Sequence, residues 1–249
     1  MKIDTITVNT EEIYDYFYQA ELELKNKNRF HNEKLDKIIN YIFSSEANKI
    51  TIKKGTILYR ARIYDNPDAE LKHSAFSESK FKGYNAIESY VNLNFDKVID
   101  GRCNPYGIPY LYASQSQQCC IHEVRPIIEE YVSVAEIDVL NNLKILDLST
   151  ETIFLMKSFN EEQINSIPIP VFCQHLYKLF KRPYQQRCDY LVTQYVAEKI
   201  KNYGYDGIRY TSSLYKGEQN QNYVIFSFEK CKAINSRLFK ITGNMISYE

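Results

Sequence analysis

What most limits the fold of this chain is the irregular order of its two hydrophobic periods. Ile57-Leu58-Tyr59-Arg60-Ala61-Arg62 alternates with period two and predicts a strand. Leu58, Arg60 and Arg62 fall on one face of it, Ile57, Tyr59 and Ala61 on the other. Tyr110-Leu111-Tyr112-Ala113 predicts a second strand, residues 116–125 a short helix stopped by Pro126, and segments near 131–139 and 143–148 two further strands. Residues 186–203 carry the clearest helical period: Val192, Val196 and Ile200 recur beside Leu191 and Tyr195, and Gly204 supplies the stop. Strands near 207–211 and 223–228 follow. Residues 63–100 read as irregular with some helical character, and 150–185, with Pro168, Pro170 and Pro183, as loops and short helices. Helices and strands mix without the regular alternation of a parallel α/β fold, so the expected class is α+β, a mixed β core with flanking helices.

Ahead of this lies a helical stretch. Residues 10–26 predict a helix with Thr10 as cap, Glu11 and Glu12 in the first turn, and Ile13, Phe17, Ala20 and Leu24 on one face. A second helix is expected over about 33–44, with Leu35, Ile38, Ile39 and Ile42 as its stripe. The expected organisation is a helical N-terminal extension, 1–50, packed on a main domain, 51–249.

Familiar catalytic signatures are missing. The eight glycines form no GxGxxG, and the chain has no P-loop, no HExxH and no GxSxG. Dehydrogenase, NTPase, zinc protease and α/β-hydrolase readings all lose ground. Cys103, Cys119, Cys120, Cys173, Cys188 and Cys231 form no CxxC pair and have no His at ligand spacing, so no metal site is expected and the thiols read as reduced. Basic and acidic residues balance at 31 each, which argues against direct nucleic-acid binding. No run reaches the roughly 18 apolar residues of a membrane span, and Met1-Lys2-Ile3-Asp4 starts no signal-peptide core. A cytoplasmic protein is expected.

Three features point to chemistry. Glu123 sits on the short helix among apolar neighbours at helical spacing, Cys120, Val124 and Ile127. A carboxylate placed there needs a partner or a purpose, although a structural ion pair or a helix turned toward water fits the spacing equally well. Arg60 and Arg62 share one strand face, and Arg102 stands in a turn-rich segment with Gly101, Asn104, Pro105 and Gly107. The planar guanidinium suits phosphate, while a surface salt bridge is the commoner use of any one arginine. Ser212 and Ser213 end a strand that follows the strong helix. The 22 tyrosines suit either an aromatic-lined cleft or half-buried strands with wet hydroxyls.

Taken in order, Leu58-Tyr59-Arg60, Gly101-Arg102-Cys103-Asn104-Pro105-Tyr106-Gly107, Leu111-Tyr112-Ala113-Ser114, His122-Glu123 and Asp206-Gly207-Ile208-Arg209-Tyr210-Thr211-Ser212 resemble the blocks of the RES domain, named for Arg, Glu and Ser. Asn222-Tyr223-Val224-Ile225-Phe226 resembles its closing strand, and the likeness spans roughly 52–230. Two positions depart from the family's usual turn: Asp100 stands where a second Gly is common, and Cys103 where an aromatic is. The interval from Arg62 to Gly101 is long and leaves room for an insertion over the cleft.

The resemblance implies an ADP-ribosyltransferase-like fold and an enzyme that takes NAD as substrate, with no separate cofactor. It implies cleavage of the nicotinamide–ribose bond by hydrolysis or phosphorolysis, in a toxin restrained by an antitoxin protein. Glu123 would stabilise the ribosyl cation. Arg60 and Arg102 would bind the pyrophosphate or fix the ribose, and Arg62 is a lesser candidate. Tyr112 would stack on nicotinamide or bond a ribose hydroxyl, and Ser212, with Ser213 as fallback, would orient the ribose or carboxamide. His122 points about 100° away from Glu123 on a helix. Two other readings remain: transfer of ADP-ribose to a protein, and a non-enzymatic module that binds a nucleotide or partner.

Overall fold

The computed structural model describes residues 10–44, 49–65, 83–91, 94–149, 176, 178–180 and 190–243. Eight strands form one mixed sheet: β1 Lys49–Ile52, β2 Ile57–Ile63, β3 Leu111–Ser114, β4 Tyr131–Val139, β5 Leu143–Asp147, β6 Gly207–Thr211, β7 Gln221–Ile225 and β8 Cys231–Lys240. Their order is β1-β5-β6-β7-β3-β2-β4-β8. Neighbours run antiparallel except β5 and β6, which are parallel. Among the described residues, besides the helical residues 176 and 178–180, four helices accompany the sheet: α1 Thr10–Asn26, α2 Glu33–Ser44, α3 Gln117–Glu123 and α4 Leu191–Asn202. The α+β class with a mixed β core and flanking helices is therefore what the chain adopts. Among the described residues no helix is long and apolar enough to cross a membrane.

Period two decides which residues go to which core. Along β6 and β7, Ile208, Tyr210, Val224 and Phe226 join a cluster with Val192, Val196 and Ile200 of α4, Ala20 and Leu24 of α1, and Leu35 and Ile39 of α2. The alternate residues Tyr223 and Ile225 join Leu58, Leu111, Ile137 and Ile145 in a second cluster. Each fully buried Leu or Ile contributes roughly 1.5–3 kcal/mol relative to exposure, as Leu24 of the first helical stripe and Leu35 and Ile39 of the second do here. Polar contacts orient it. Asn32 caps α2 through its side chain to the Leu35 amide at 3.0 Å, and its own amide donates to the Tyr195 hydroxyl on α4 at 2.9 Å. Lys199 donates to Asp36 at 2.9 Å.

Two strands were not expected from the sequence, β1 and β8. β8 is an edge strand that pairs along β4 and alternates poorly, with half of its side chains exposed and one buried. One covered face leaves a weak hydrophobic period. β7 begins at Gln221 and ends at Ile225, ahead of the expected 228, because the Phe226 amide turns away to donate to the Asp206 carbonyl at 2.8 Å. The expected helix start at 186 and most of 150–185 lie outside the described residues, as does much of 63–100.

One joint in the sheet differs from the others. β2 pairs with β4 through seven residue pairs, from Ile57–Asp138 to Ile63–Val132, and β3 pairs with β7 through four. β2 and β3 share only Tyr59–Ser114. Beyond that rung they part, and the gap between them holds the site described below.

Within the five-strand part, Asp147 on β5 and Arg209 on β6 are register partners. Asp147 is fully buried; Arg209 Nε donates to its Oδ1 at 2.9 Å and Nη2 to Oδ2, and the Ser149 hydroxyl donates at 2.6 Å. Burial pushes the Asp147 carboxyl up, but the Arg209 fork and the Ser149 donors outweigh it and hold the carboxyl below its ordinary value. Asp147→Ala leaves a guanidinium without its partner and is expected to cost about 3–5 kcal/mol in urea unfolding. Because the folded-state carboxyl titrates below the unfolded one, its contribution is present above about pH 4 and disappears as pH falls. Asp147→Asn should therefore flatten the stability-against-pH curve on that acid side.

Candidate functional site

Where β2 and β3 separate, a cavity of about 270 Å³ opens. Arg60 comes from β2, Tyr112 from β3, Cys120 and Glu123 from α3, Tyr210 from β6, and Asn222 from β7. α3 follows β3 almost at once. Ser116 caps it, accepting from the Cys119 amide at 3.3 Å, and the buried Cys119 and Cys120 anchor it. Its last residue is Glu123, and Arg125 then turns the chain with φ +50° ahead of Pro126. A helix C-terminus is an unfavourable place for a carboxylate, so Glu123 depends on donors from elsewhere.

Those donors come from the end of β6 and the start of β7. The Ser212 hydroxyl donates to Glu123 Oε1 at 2.5 Å, and Asn222 Nδ2 donates to the same oxygen at 2.8 Å. Neither bond uses Oε2. Ser212 is itself held, accepting from the amides of Leu214 at 3.1 Å and Tyr215 at 3.0 Å. The Asn222 carboxamide is oriented from behind, since its Oδ1 accepts from the Cys119 thiol at 3.4 Å. Burial pushes both Cys119 and Cys120 thiols up, so they act as neutral wall and donor, not nucleophiles.

Arg60 faces this carboxylate without pairing to it. Its Nη1 reaches the Tyr112 carbonyl at 3.4 Å, a group that strand pairing leaves free where β2 and β3 part. Its Nε is enclosed and has no hydrogen-bond partner. Burial, and then the neighbouring Arg62, push the guanidinium down to about 10, so it stays charged at neutral pH. A desolvated cation with an empty donor is poised for an anion.

Tyr112 is fixed by its hydroxyl. The hydroxyl donates to Asn104 Oδ1 at 2.7 Å and accepts the Cys103 amide at 3.0 Å. It thereby clamps the turn from Gly101 to Gly107, which α4 also grips. Gln194 donates to the carbonyls of Gly101 at 2.9 Å and Asn104 at 3.0 Å, and Thr193 to that of Arg102 at 2.5 Å. Gly101 is required at its position, because a Cβ there would come within 2.5 Å of Asn104 Oδ1 and 2.9 Å of the Tyr112 hydroxyl. What Tyr112 leaves for a ligand is its ring.

The structure thus brings Arg60, Tyr112 and Glu123 together around one cavity. Ser212 stands behind Glu123 and holds it. Arg62 is exposed, donates to the Glu88 carbonyl, and lines an adjoining cavity of about 390 Å³. Arg102 lines neither cavity: its guanidinium donates to the Phe180 carbonyl and lies 5.4 Å from the centre of the Tyr210 ring, buttressing that wall from outside. Ser213 lines neither, and His122 is exposed, turned toward Tyr215. Asn222 and Tyr210 were not singled out from the sequence. A lone amide opening the apolar run Asn222-Tyr223-Val224-Ile225 was the available sign, since buried polar groups are held by a partner.

The RES domain family matches residues 57–241 of the chain. No curated protein matches it by sequence. A chain in the crystal structure of the M. tuberculosis MbcT–MbcA toxin–antitoxin complex is similar over 82% of this chain and 92% of its own length, at 14% identity and a TM-score of 0.44.

Tyr112→Phe keeps the ring and strands the Cys103 amide in a fully buried place. The expected cost is about 1–3 kcal/mol, read as a lower urea midpoint with an unchanged slope.

Proposed function

The chain belongs to the RES-domain family, and from that premise we propose that it is an enzyme that cleaves the nicotinamide–ribose bond of NAD, by hydrolysis or phosphorolysis. The observation that carries the reading is the carboxylate of Glu123, clamped through one oxygen by Ser212 and Asn222, in a cavity that is also lined by Arg60, whose enclosed Nε has no hydrogen-bond partner.

The chemistry asks for such an arrangement. As the C1′–N bond of the substrate breaks, its electron pair goes to the pyridinium nitrogen and nicotinamide leaves neutral. Positive charge builds on the ribose, and a fixed carboxylate stabilises it more than it stabilises the ground state. An oxygen of water or of phosphate forms the new bond at C1′, and the attacking group's proton passes to solvent. The leaving group needs no strong acid, which agrees with a site that offers none beside Glu123. Tyr112 and Tyr210 supply ring faces for an aromatic base. Arg60 supplies charge for the anionic part of the substrate. Cofactor and metal have no step in this scheme.

The family resemblance further implies a toxin that depletes NAD and a neutralising protein partner that closes the cleft. Blocking access to Glu123 is the simplest way for such a partner to act.

Purified protein incubated with NAD, with and without phosphate, is expected to release nicotinamide. The second product then names the acceptor: ADP-ribose for water, its 1-phosphate for phosphate, labelled protein for transfer. Glu123→Gln should lower the rate by about 10²–10³ while the protein stays folded. Wild-type turnover by the folded variant would sink the assignment. Asn222→Ala removes one of the two donors that fix Glu123 and should lower the rate about tenfold; unchanged turnover would mean Asn222 does not act on that carboxylate.

A further inference from the structure

The family match begins at residue 57, so α1 and α2 lie outside it. Their contacts nevertheless lead to the site. Leu24 of α1 and Leu35 and Ile39 of α2 share one apolar cluster with Val192, Val196 and Ile200 of α4. The same cluster takes in Cys103, from the turn that clamps Tyr112, and Tyr112 packs against it. Apolar packing therefore runs unbroken from the N-terminal helices to a side chain that lines the cavity.

The polar contacts of α4 follow the same route. Thr193 and Gln194 hold the carbonyls of Gly101, Arg102 and Asn104. The next residue, Tyr195, points away from them, since successive helical residues stand about 100° apart. Tyr195 is buried, and its hydroxyl accepts from the Asn32 amide at 2.9 Å and donates to Asp36 Oδ1 at 2.6 Å. Lys199, one turn on, donates to Asp36 Oδ2 at 2.9 Å. Asn32 Nδ2 donates to the Ala20 carbonyl of α1 at 3.1 Å, so one polar knot joins α1, α2 and α4. Burial pushes the Asp36 carboxyl up, but the Lys199 and Tyr195 donors outweigh it and hold the carboxyl below its ordinary value. Asp36 is therefore an ionised acceptor at neutral pH, the stronger kind.

We propose that the N-terminal helix pair is a working part of the site: Tyr195, held by Asn32 and Asp36, is a positioning residue that sets α4 against the Gly101–Gly107 turn and, through that turn, sets Tyr112. Tyr195 itself touches no ligand. Its effect on catalysis rests on the NAD reading, and its effect on the turn does not.

Hydrogen exchange in the full chain tests the effect on the turn. Tyr195→Phe keeps the ring and removes the hydroxyl. Asp36→Asn keeps an acceptor and removes the charge, a milder change should the first variant fail to fold. The Gly101 amide is bonded to the Asn104 carbonyl and the Cys103 amide to the Tyr112 hydroxyl. Both should exchange about tenfold faster in Tyr195→Phe, and less so in Asp36→Asn, while the β2–β4 ladder keeps its rate. Unchanged exchange at the turn, or equal acceleration in the ladder, would overturn the proposal, since a purely structural role loosens both alike.

Steady-state NAD cleavage tests the effect on the site. Tyr195→Phe should raise KM about tenfold with kcat near wild type, because a loosened Tyr112 weakens binding and leaves charge stabilisation at Glu123 in place. Gln194→Ala cuts the same route at the turn and should act similarly, and the double variant should add little to either. Additive effects, or an unchanged KM in a variant whose turn exchanges faster, would detach Tyr195 from the site and overturn its positioning role. Faster exchange at the turn of variants whose wild-type parent leaves NAD intact would count against the NAD reading and keep the coupling.

Discussion

The site exists because β2 and β3 share one rung. A continuous ladder there would bury the Tyr112 carbonyl in strand pairing and close the gap between the two parts of the sheet. Instead the strands part after Tyr59–Ser114, and each backbone group released needs another partner. Arg60 provides one by reaching the Tyr112 carbonyl. Ser114, on the shared rung, ties the next turn in place: its hydroxyl donates to the Gln221 carbonyl at 3.0 Å and accepts from the Ser116 amide at 3.3 Å, and the chain turns directly into α3. One missing ladder segment thus sets the place of the arginine, the start of the helix and, seven residues on, the carboxylate.

The carboxylate itself is held by residues distant in sequence. Glu123 is bound by Ser212 from the end of β6 and by Asn222 from the start of β7, with Cys119 behind Asn222. A flexible glutamate alone would spread over several rotamers, and ordering it at the moment of reaction would cost entropy. Two donors on one oxygen remove that freedom in advance. The turn from Gly101 to Gly107 plays the same part for Tyr112, whose hydroxyl is committed to Cys103 and Asn104 while its ring remains available.

How much of this was legible in the sequence depended on whether the signal was local. Most of the strands and all four helices were readable because burial on one or two faces writes a period into the chain, as at Val192, Val196 and Ile200. β8 was not, because an edge strand with half of its residues exposed and one buried has no such period. At the site, Arg60 and Glu123 stood out as charges in apolar surroundings. Ser212 was picked as a group facing the ligand, whereas its hydroxyl is turned to Glu123, and Arg102 was picked for phosphate, whereas its guanidinium is turned to the Phe180 carbonyl. The direction of a side chain depends on partners some 80 to 90 positions away, and no local pattern encodes it. Asn222 illustrates the same limit, since its partner at Glu123 lies 99 positions back.

Arg60 is the clearest conflict between stability and use. Its guanidinium is desolvated, sits near a second arginine, and has no carboxylate bound to it. A methionine or leucine there would avoid the cost of burying charge, and buried ionic groups are often replaced by apolar ones with no loss of stability. Asp147 and Arg209 show that this same sheet pairs a half-buried arginine with a buried carboxylate when only structure is at stake. The two arginines thus differ in one physical respect: Arg209 finds its carboxylate within the protein, and Arg60 keeps an enclosed Nε that has no hydrogen-bond partner there.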